Sequence, residues 1–425
     1  MRLYDVSYEI AARYIYLTSI IFTIFAPAVH YVGYVLVLGL LIYGRVRYKD
    51  KLVSFKSKSC KDISIVMTVF FIWSAFANVF FMTDFEVWGQ GASVYLELLV
   101  GYIFAVRLFD SEDARKTFIK FFVPLTTFIF CLIIIKAYVP LPFTLPKRLT
   151  MNGNTLGLYP VLAVPYIFFY ALWIWEKRYF LKYFSCIVSM VTLFISFASG
   201  AWLTVFLMLP FILYYAACAG KIKLVSIGAG ICAGVLVLAA FNHISGGAIQ
   251  KRFEVELRQI SSVRDAQSLT NHRSSIWRIV SGLVADRPIA GYGRKNLEEV
   301  YGRALKENTE YAKLDFVARS HAHNMYLELA VSSGVPSVLL FVAALFMMIK
   351  KCWRGRFRIE NGVPWHLIFL VMLGGQLVYG MTGDVFEARR DLAVIFWASM
   401  GIIAALPETR EKKDCGFAPQ SATTE

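Results

Sequence analysis

The sequence predicts an all-α, polytopic membrane protein with about 12 transmembrane helices. Of its 425 residues, 58% are hydrophobic and only 17% are charged, and the mean hydropathy is +0.57. Soluble domains contain about 45–50% apolar and about 25% charged residues, so the composition excludes an ordinary soluble fold, a disordered chain and a small disulfide scaffold. Long uncharged stretches also alternate with short basic ones, which is typical of helices that cross a bilayer repeatedly.

Individual spans follow from length, because a helix needs about 20 mainly apolar residues to cross the hydrocarbon core. The candidates run approximately over residues 10–28, 30–44, 63–82, 92–109, 118–138, 155–175, 183–199, 201–219, 224–241, 325–349, 364–383 and 391–407. The chain therefore divides into nine predicted helices (1–241), a hydrophilic loop (242–324), three further helices (325–407) and a polar tail (408–425) predicted to be disordered.

The basic residues set the orientation of these helices. Lys and Arg number 44 against 29 Asp and Glu, a net charge of +15. They concentrate in residues 45–62 and after the sixth, eighth and tenth candidate spans. All these segments fall on the cytoplasmic side if both termini are cytoplasmic, as the positive-inside rule requires. Orientation explains most of the basic excess, so no nucleic-acid partner is predicted.

The loop 242–324 is also basic, although it lies on the opposite face and is too long to follow the positive-inside rule. Residues 250–260 and 274–288 each have the apolar spacing of a short amphipathic helix. We expect the second helix to lie flat at the membrane interface, with Arg273 and Arg278 directed into a site.

Two histidines, His321 and His323, stand next to Asn324 where this loop enters the tenth span. Imidazole titrates near neutral pH, so either ring could act as a general base. The alternative is a pair of hydrogen-bonded interfacial histidines without a catalytic role.

Arginines on the same face form a second candidate group, because guanidinium binds phosphate oxygens in a bidentate fork. Arg148 joins the loop arginines from the preceding extracytoplasmic segment. The alternative for any single arginine is a solvated surface charge. A third group, Asp384 to Asp391 with Arg389, is either part of the site or a structural salt bridge.

Several chemistries have no support in the sequence. The chain contains no Walker A sequence, no HExxH and no GxSxG, and its seven cysteines show neither CxxC nor Cys/His spacing. No ATP-driven activity, metal site or disulfide framework is therefore predicted.

Two of these segments resemble the O-antigen ligase and O-antigen polymerase superfamily of bacterial envelope enzymes. RSSIWRIVSGLVADRPIAGYG (273–293) is similar to the family's Arg–aromatic segment with its Pro–Gly–Tyr–Gly end. HAHNMYLELAVSSGVPSVLLF (321–341) is similar to its His-Asn-x-x-Leu-Glu helix. The twelve-helix layout, with one large loop before the tenth helix, resembles the family as well.

The resemblance implies a GT-C-like fold in the bacterial inner membrane, with both termini cytoplasmic and an active site that faces the periplasm. It implies a glycosyltransferase that moves a glycan from undecaprenyl diphosphate to a hydroxyl of lipid A–core or of another lipid-linked glycan, without a metal or other cofactor. Arg273 matches the family's loop arginine and His323 its histidine beside Asn324, with His321 as a second candidate.

Gly200 departs from the family pattern, since family members carry an arginine near this position. Either another arginine, such as Arg252 or Arg148, takes its place, or the substrate chemistry differs. The spacing of Asp384 and Arg389 resembles ligases more than polymerases, so we expect a ligase. A polysaccharide polymerase is the main alternative, and a polysaccharide transporter or a non-catalytic binding protein is a remoter one, since the predicted spans are mostly apolar at their centres.

Overall fold

The computed structural model describes residues 7–26, 28–52, 55–79, 84–138, 153–174, 178–261, 273–307, 321–360, 362–383 and 390–408. Three predicted site residues, Arg148, Asp384 and Arg389, and nearly all of the predicted tail lie outside these ranges.

The described residues are helical and contain no β-strand, only an isolated bridge between Glu360 and Val363. The helices before the loop are α1 (Ser7–Phe22), α2 (Ala28–Tyr48), α3 (Lys58–Phe76), α4 (Phe85–Leu108), α5 (Glu112–Tyr138), α6 (Gly153–Trp173), α7 (Tyr179–Ile195), α8 (Ser199–Cys218) and α9 (Leu224–Ile244). Those in and after the loop are α10 (Ala248–Ser261), α11 (Arg273–Asp286), α12 (Leu297–Glu307), α13 (Met325–Ser333), α14 (Val335–Arg354), α15 (Trp365–Gly380) and α16 (Arg390–Ala405). A 3₁₀ turn (Arg294–Asn296) precedes α12.

A polytopic helical membrane protein is confirmed. Within the described ranges, 7 helices are long and apolar enough to cross a membrane, namely α2, α3, α4, α5, α6, α8 and α14. Three shorter helices, α7, α15 and α16, are apolar too. Twelve spans remain a prediction.

The predicted tenth span, 325–349, is wrong as a single helix, because the chain forms α13 and α14 on either side of Gly334. Gly334 has a φ of +82°, and a Cβ atom there would collide with the carbonyl oxygen of Ile289. The amide of Val335 donates to the carbonyl of Pro288 (2.7 Å) at the same point. The membrane span therefore begins at Val335, and α13 is a separate helix of 9 residues.

The bundle core is aromatic and closely packed. Trp397 of α16 is buried against Phe70 and Phe71 of α3 and Phe341 of α14. Gly401 brings α16 against α4, since a Cβ atom there would lie 2.6 Å from the carbonyl oxygen of Tyr102. These contacts fix α3, α4, α14 and α16 as the frame that carries α13.

Candidate functional site

The site is built on a small apolar core outside the main bundle. Here α11 packs against α12 and α13 through buried residues, which are Ile276, Val280, Leu297, Tyr301, Ala322 and Val331. Ile276 and Val280 are each only 1% exposed. The apolar face of α11 therefore contacts protein at these positions, and its flat placement at the membrane interface stays a prediction.

The segment 321–324 crosses this core just before α13 begins. The indole N–H of Trp277, on α11, donates to the carbonyl of Ala322 (3.0 Å). Ala322 is fully buried and stands between His321 and His323. The segment thus has a fixed backbone with an imidazole on each side of its anchor.

Glu328, on α13, also holds the segment 321–324 in place. Its carboxylate is 2% exposed, and its Oε2 accepts hydrogen bonds from the amide of Ala322 (2.6 Å) and the hydroxyl of Tyr301 (3.3 Å). Its Oε1 lies 3.8 Å from Nδ1 of His321. One helical turn separates Glu328 from Asn324, which returns the carboxylate to the loop. A buried carboxylate needs such partners, and here they come from the histidine segment and from Tyr301 of α12.

Asn324 is the N-cap of α13. Its Oδ1 accepts hydrogen bonds from the amides of Tyr326 (3.0 Å) and Leu327 (3.1 Å), and its Nδ2 donates to the carbonyl of Met381 (3.4 Å) at the end of α15. All three hydrogen bonds are structural. They fix the start of α13 against the bundle, so a direct role for Asn324 in substrate binding stays a prediction.

His323 has an unusual backbone and a perturbed side chain. Its φ of +51° lies in the left-handed region, which is uncommon for residues other than glycine and clusters at functional sites. Burial, and after it the charges of Arg273 and His321, together lower its pKa to about 4. The ring is therefore neutral at neutral pH. The two imidazoles lie 6.5 Å apart between ring centroids, at an interplanar angle of 84°.

The structure brings Arg273, His321 and His323 together. Arg273 is the first residue of α11 and is close enough for its charge to act on His323. Arg278 is exposed on α11, and the described contacts do not connect it to the histidines, so its predicted direction into the site is not confirmed.

Arg252 lies on α10, and its side chain is outside the described part of the structure. Its neighbour Phe253 packs against Trp202 of α8, with ring centroids 5.2 Å apart. This contact places α10 beside the start of α8, where Gly200 lies. A Cβ atom at Gly200 would collide with the hydroxyl of Thr382, so a larger residue there would push α8 from the end of α15.

The Pro–Gly–Tyr–Gly segment has a structural role that the sequence does not reveal. The amides of Tyr292 and Gly293 donate to the carbonyls of Val331 and Ser332 at the end of α13 (both 2.9 Å). The indole N–H of Trp73 donates to the carbonyl of Ser333 (3.0 Å). The last carbonyls of a helix lack partners within it, so these donors fix α13 at its C-terminal end.

Glu328 is the site residue that sequence reasoning missed. It belongs to the quoted stretch HAHNMYLELAV, but we assigned it no role. A carboxylate within an otherwise apolar helix is a signal of function or of a buried partner. The partners could not be read from the sequence, because Tyr301 comes from a different helix and Ala322 from the segment that precedes α13.

Residues 184–342 match the family model described as O-antigen ligase. The match includes α11, the segment 321–324 and α13, and therefore all three residues that the structure brings together. It confirms the resemblance to the O-antigen ligase superfamily on which the predicted activity was based. No curated protein matches the chain.

Proposed function

We propose that this protein is an O-antigen ligase-like membrane glycosyltransferase with a GT-C-like fold of about 12 spans. It moves a glycan from undecaprenyl diphosphate to a hydroxyl of lipid A–core at the periplasmic face of the bacterial inner membrane, with both termini cytoplasmic and without a metal or other cofactor. The observation that carries the proposal is the convergence of Arg273, His321 and His323 within the segment that matches the O-antigen ligase model.

The donor supplies a diphosphate leaving group, whose negative charge grows as the glycosidic bond breaks. Arg273 offsets that charge, and its guanidinium fork suits two phosphate oxygens. Arg252 and Arg148 are the proposed second cations in place of the arginine missing at Gly200. Arg278, Asp384 and Arg389 would contact the glycan or the diphosphate at the edge of the site.

His323 is the proposed general base that takes the proton of the acceptor hydroxyl. Its low pKa keeps it neutral and able to accept a proton, but also makes it a weak base in the empty site. A bound diphosphate would neutralise Arg273, remove one of the causes that lower this pKa, and so strengthen the base when donor is present.

Glu328 is a positioning residue in this proposal, because it holds the backbone between the two histidines and faces His321. His321 is the second candidate base. The carboxylate beside it would orient its ring, as in other carboxylate–histidine pairs.

The same groups would also serve a polymerase, since its acceptor is again a sugar hydroxyl, on a lipid-linked glycan. Deletion of the gene in its host, followed by gel analysis of surface glycans, separates the two activities. We expect bare lipid A–core together with accumulated lipid-linked polymer. Single repeat units on the core would indicate a polymerase instead, and an unchanged ladder would contradict both activities.

Complementation of the deletion strain then tests the site. We expect His323→Ala to leave the deletion phenotype unchanged, while Arg303→Ala should restore the wild-type ladder. Arg303 is a matched control because it is exposed on α12, where its contact is to the exposed Glu299.

A further inference from the structure

A polar cleft lies near the C-terminal end of α13, whereas the histidines lie at its N-terminal end. It opens to solvent where α3 ends, α4 begins and the 3₁₀ turn passes. Its polar lining comes mainly from Asn78, Trp88, Tyr95, Arg294, Lys295 and Asn296, which we call the cationic cleft. The 9 residues of α13 span about 13 Å, so the cleft is separate from the site at residues 321–324.

The backbone around the cleft is held in place by close contacts. Gly293 has a φ of +82°, and a Cβ atom there would collide with the side-chain amide of Asn78. The hydroxyl of Tyr95 contacts that of Ser332 at 3.3 Å. At Gly91 of α4, an added Cβ would come within 3.7 Å of the side chains of Arg294 and Lys295. The stems of both side chains thus lie against α4, where Arg294 is half-buried and Lys295 is exposed.

The lining favours an anionic ligand. Arg294 and Lys295 are cationic, and no carboxylate is among the residues that line the cleft. The indole nitrogen of Trp88 is buried and has no acceptor among the described residues. A buried donor without an acceptor costs free energy, and an oxygen bound in the cleft would satisfy it. Guanidinium, ammonium and indole N–H groups together suit the oxygens of a phosphate.

The surroundings indicate where such a phosphate comes from. Trp88 packs against Phe76 and Phe85, with ring centroids 5.6 and 5.2 Å away. Both phenylalanines are exposed, Phe85 by 67%. Exposed aromatic clusters at the ends of spanning helices are typical of the level of lipid headgroups. The same level carries lipid phosphates beside basic side chains.

We propose that the cationic cleft binds the phosphate of a lipid headgroup, through Arg294, Lys295 and the indole N–H of Trp88. This inference goes beyond the proposed glycosyl transfer and does not depend on it, since none of these residues belongs to the site around His323. The recognised chemistry is a phosphate, and free inorganic phosphate is the other possible source.

Native mass spectrometry of the full-length protein in detergent tests this proposal with phosphatidic acid, with diacylglycerol of the same acyl chains and with inorganic phosphate. We expect phosphatidic acid to bind and diacylglycerol, which lacks the phosphate, to bind at least about tenfold more weakly. Inorganic phosphate that displaces the lipid would support phosphate recognition, whereas inorganic phosphate that binds as tightly as phosphatidic acid would overturn the lipid source.

The double variant Arg294→Gln/Lys295→Gln should weaken phosphatidic acid binding by about tenfold or more, since two charged contacts are lost. The control is Arg303→Gln/Lys306→Gln, which removes the same charge from exposed positions of α12. Equal losses in both double variants, or no loss in either, would overturn the proposal. Trp88→Phe, which keeps the ring and removes only the N–H, should weaken binding by a few-fold. Lys295→Gln alone is the fallback if the double variant is not monodisperse, and unchanged binding there would count against the cleft.

Discussion

Replacing Glu328 with glutamine should separate the positioning of the histidines from the stability of the fold. The amide of Ala322 and the hydroxyl of Tyr301 both donate to Oε2, whereas His321 faces Oε1. A glutamine can therefore put its carbonyl oxygen where Oε2 lies and its NH₂ group toward His321. Both hydrogen bonds remain, and only the negative charge is lost.

The size of the effect follows from the weaker hydrogen bond with Ala322 and from the lost attraction to His321. A hydrogen bond to a charged group contributes about 1.5–3 kcal/mol and a neutral one about 0.5–1.5 kcal/mol, so the Ala322 contact weakens by about 1 kcal/mol. A carboxylate and an imidazolium 3.8 Å apart attract by at most about 4 kcal/mol. Solvent screening at the 38% exposed His321 reduces this to about 1 kcal/mol. Together these two losses lower the population of the geometry that is competent for glycan transfer about 10- to 30-fold.

Because the loss affects geometry and not ground-state affinity, we expect kcat for transfer from a lipid-diphosphate donor to fall by that factor, with KM nearly unchanged. The assay uses purified protein in nanodiscs, and the melting temperature is measured on the same samples. Glu298→Gln, at an exposed position of α12, is the matched control. An unchanged kcat in Glu328→Gln would refute the positioning role. Glu328→Ala should instead lower the melting temperature, since it leaves two buried donors without an acceptor.

His323→Ala should abolish transfer, and it should flatten the pH dependence of stability. Because the folded pKa of about 4 lies below the unfolded value of about 6.5, the wild type loses stability as the pH falls from about 6.5 toward 4; melting temperatures that fall equally in both proteins over this window would contradict the assignment. Arg273→Lys keeps the charge but loses the bidentate fork, so kcat/KM should fall about tenfold or more, and full activity would mean that charge alone suffices. Gly334→Ala should destabilise the protein by about 3 kcal/mol or more because of its positive φ and the collision with Ile289, which an unchanged melting temperature would exclude. A cysteine at the exposed Glu299, in a background without the native thiols, should react with an impermeant maleimide from the periplasmic side; reaction only from the cytoplasmic side would invert the proposed topology.

The helices were predictable where local composition decides them. Apolar length alone placed α5, α8 and α15 within a few residues of their observed bounds, apart from the start of α5. Helices in a bilayer satisfy their own backbone hydrogen bonds, so hydropathy carries most of that information. The same measure fails at Gly334, where the chain stays apolar on both sides. The break there depends on Ile289, which is distant in sequence.

The candidate site was predictable in its residue types and not in its geometry. The tenth span was predicted to begin at residue 325, and the N-cap role of Asn324 follows from an ordinary preference for asparagine at that position. What the sequence could not supply is the covering of α11 by α12 and α13, since an amphipathic helix looks the same whether lipid or protein meets its apolar face. The packing of α11 against α12 and α13 allows the indole N–H of Trp277 to donate to the carbonyl of Ala322.

The backbone conformation of His323 depends both on the local sequence and on packing between distant segments. A left-handed φ costs free energy in a residue with a side chain, and it persists only where the surroundings impose it. Here three contacts fix the segment. Trp277 donates to the carbonyl of Ala322, and Glu328 accepts from the amide of the same residue. The side chain of Asn324, the following residue, caps α13. A histidine that served only as a surface residue would need no such arrangement. The three constraints hold His323 close enough to Arg273 for that charge to act on its ring, which is the arrangement that the proposed general base requires.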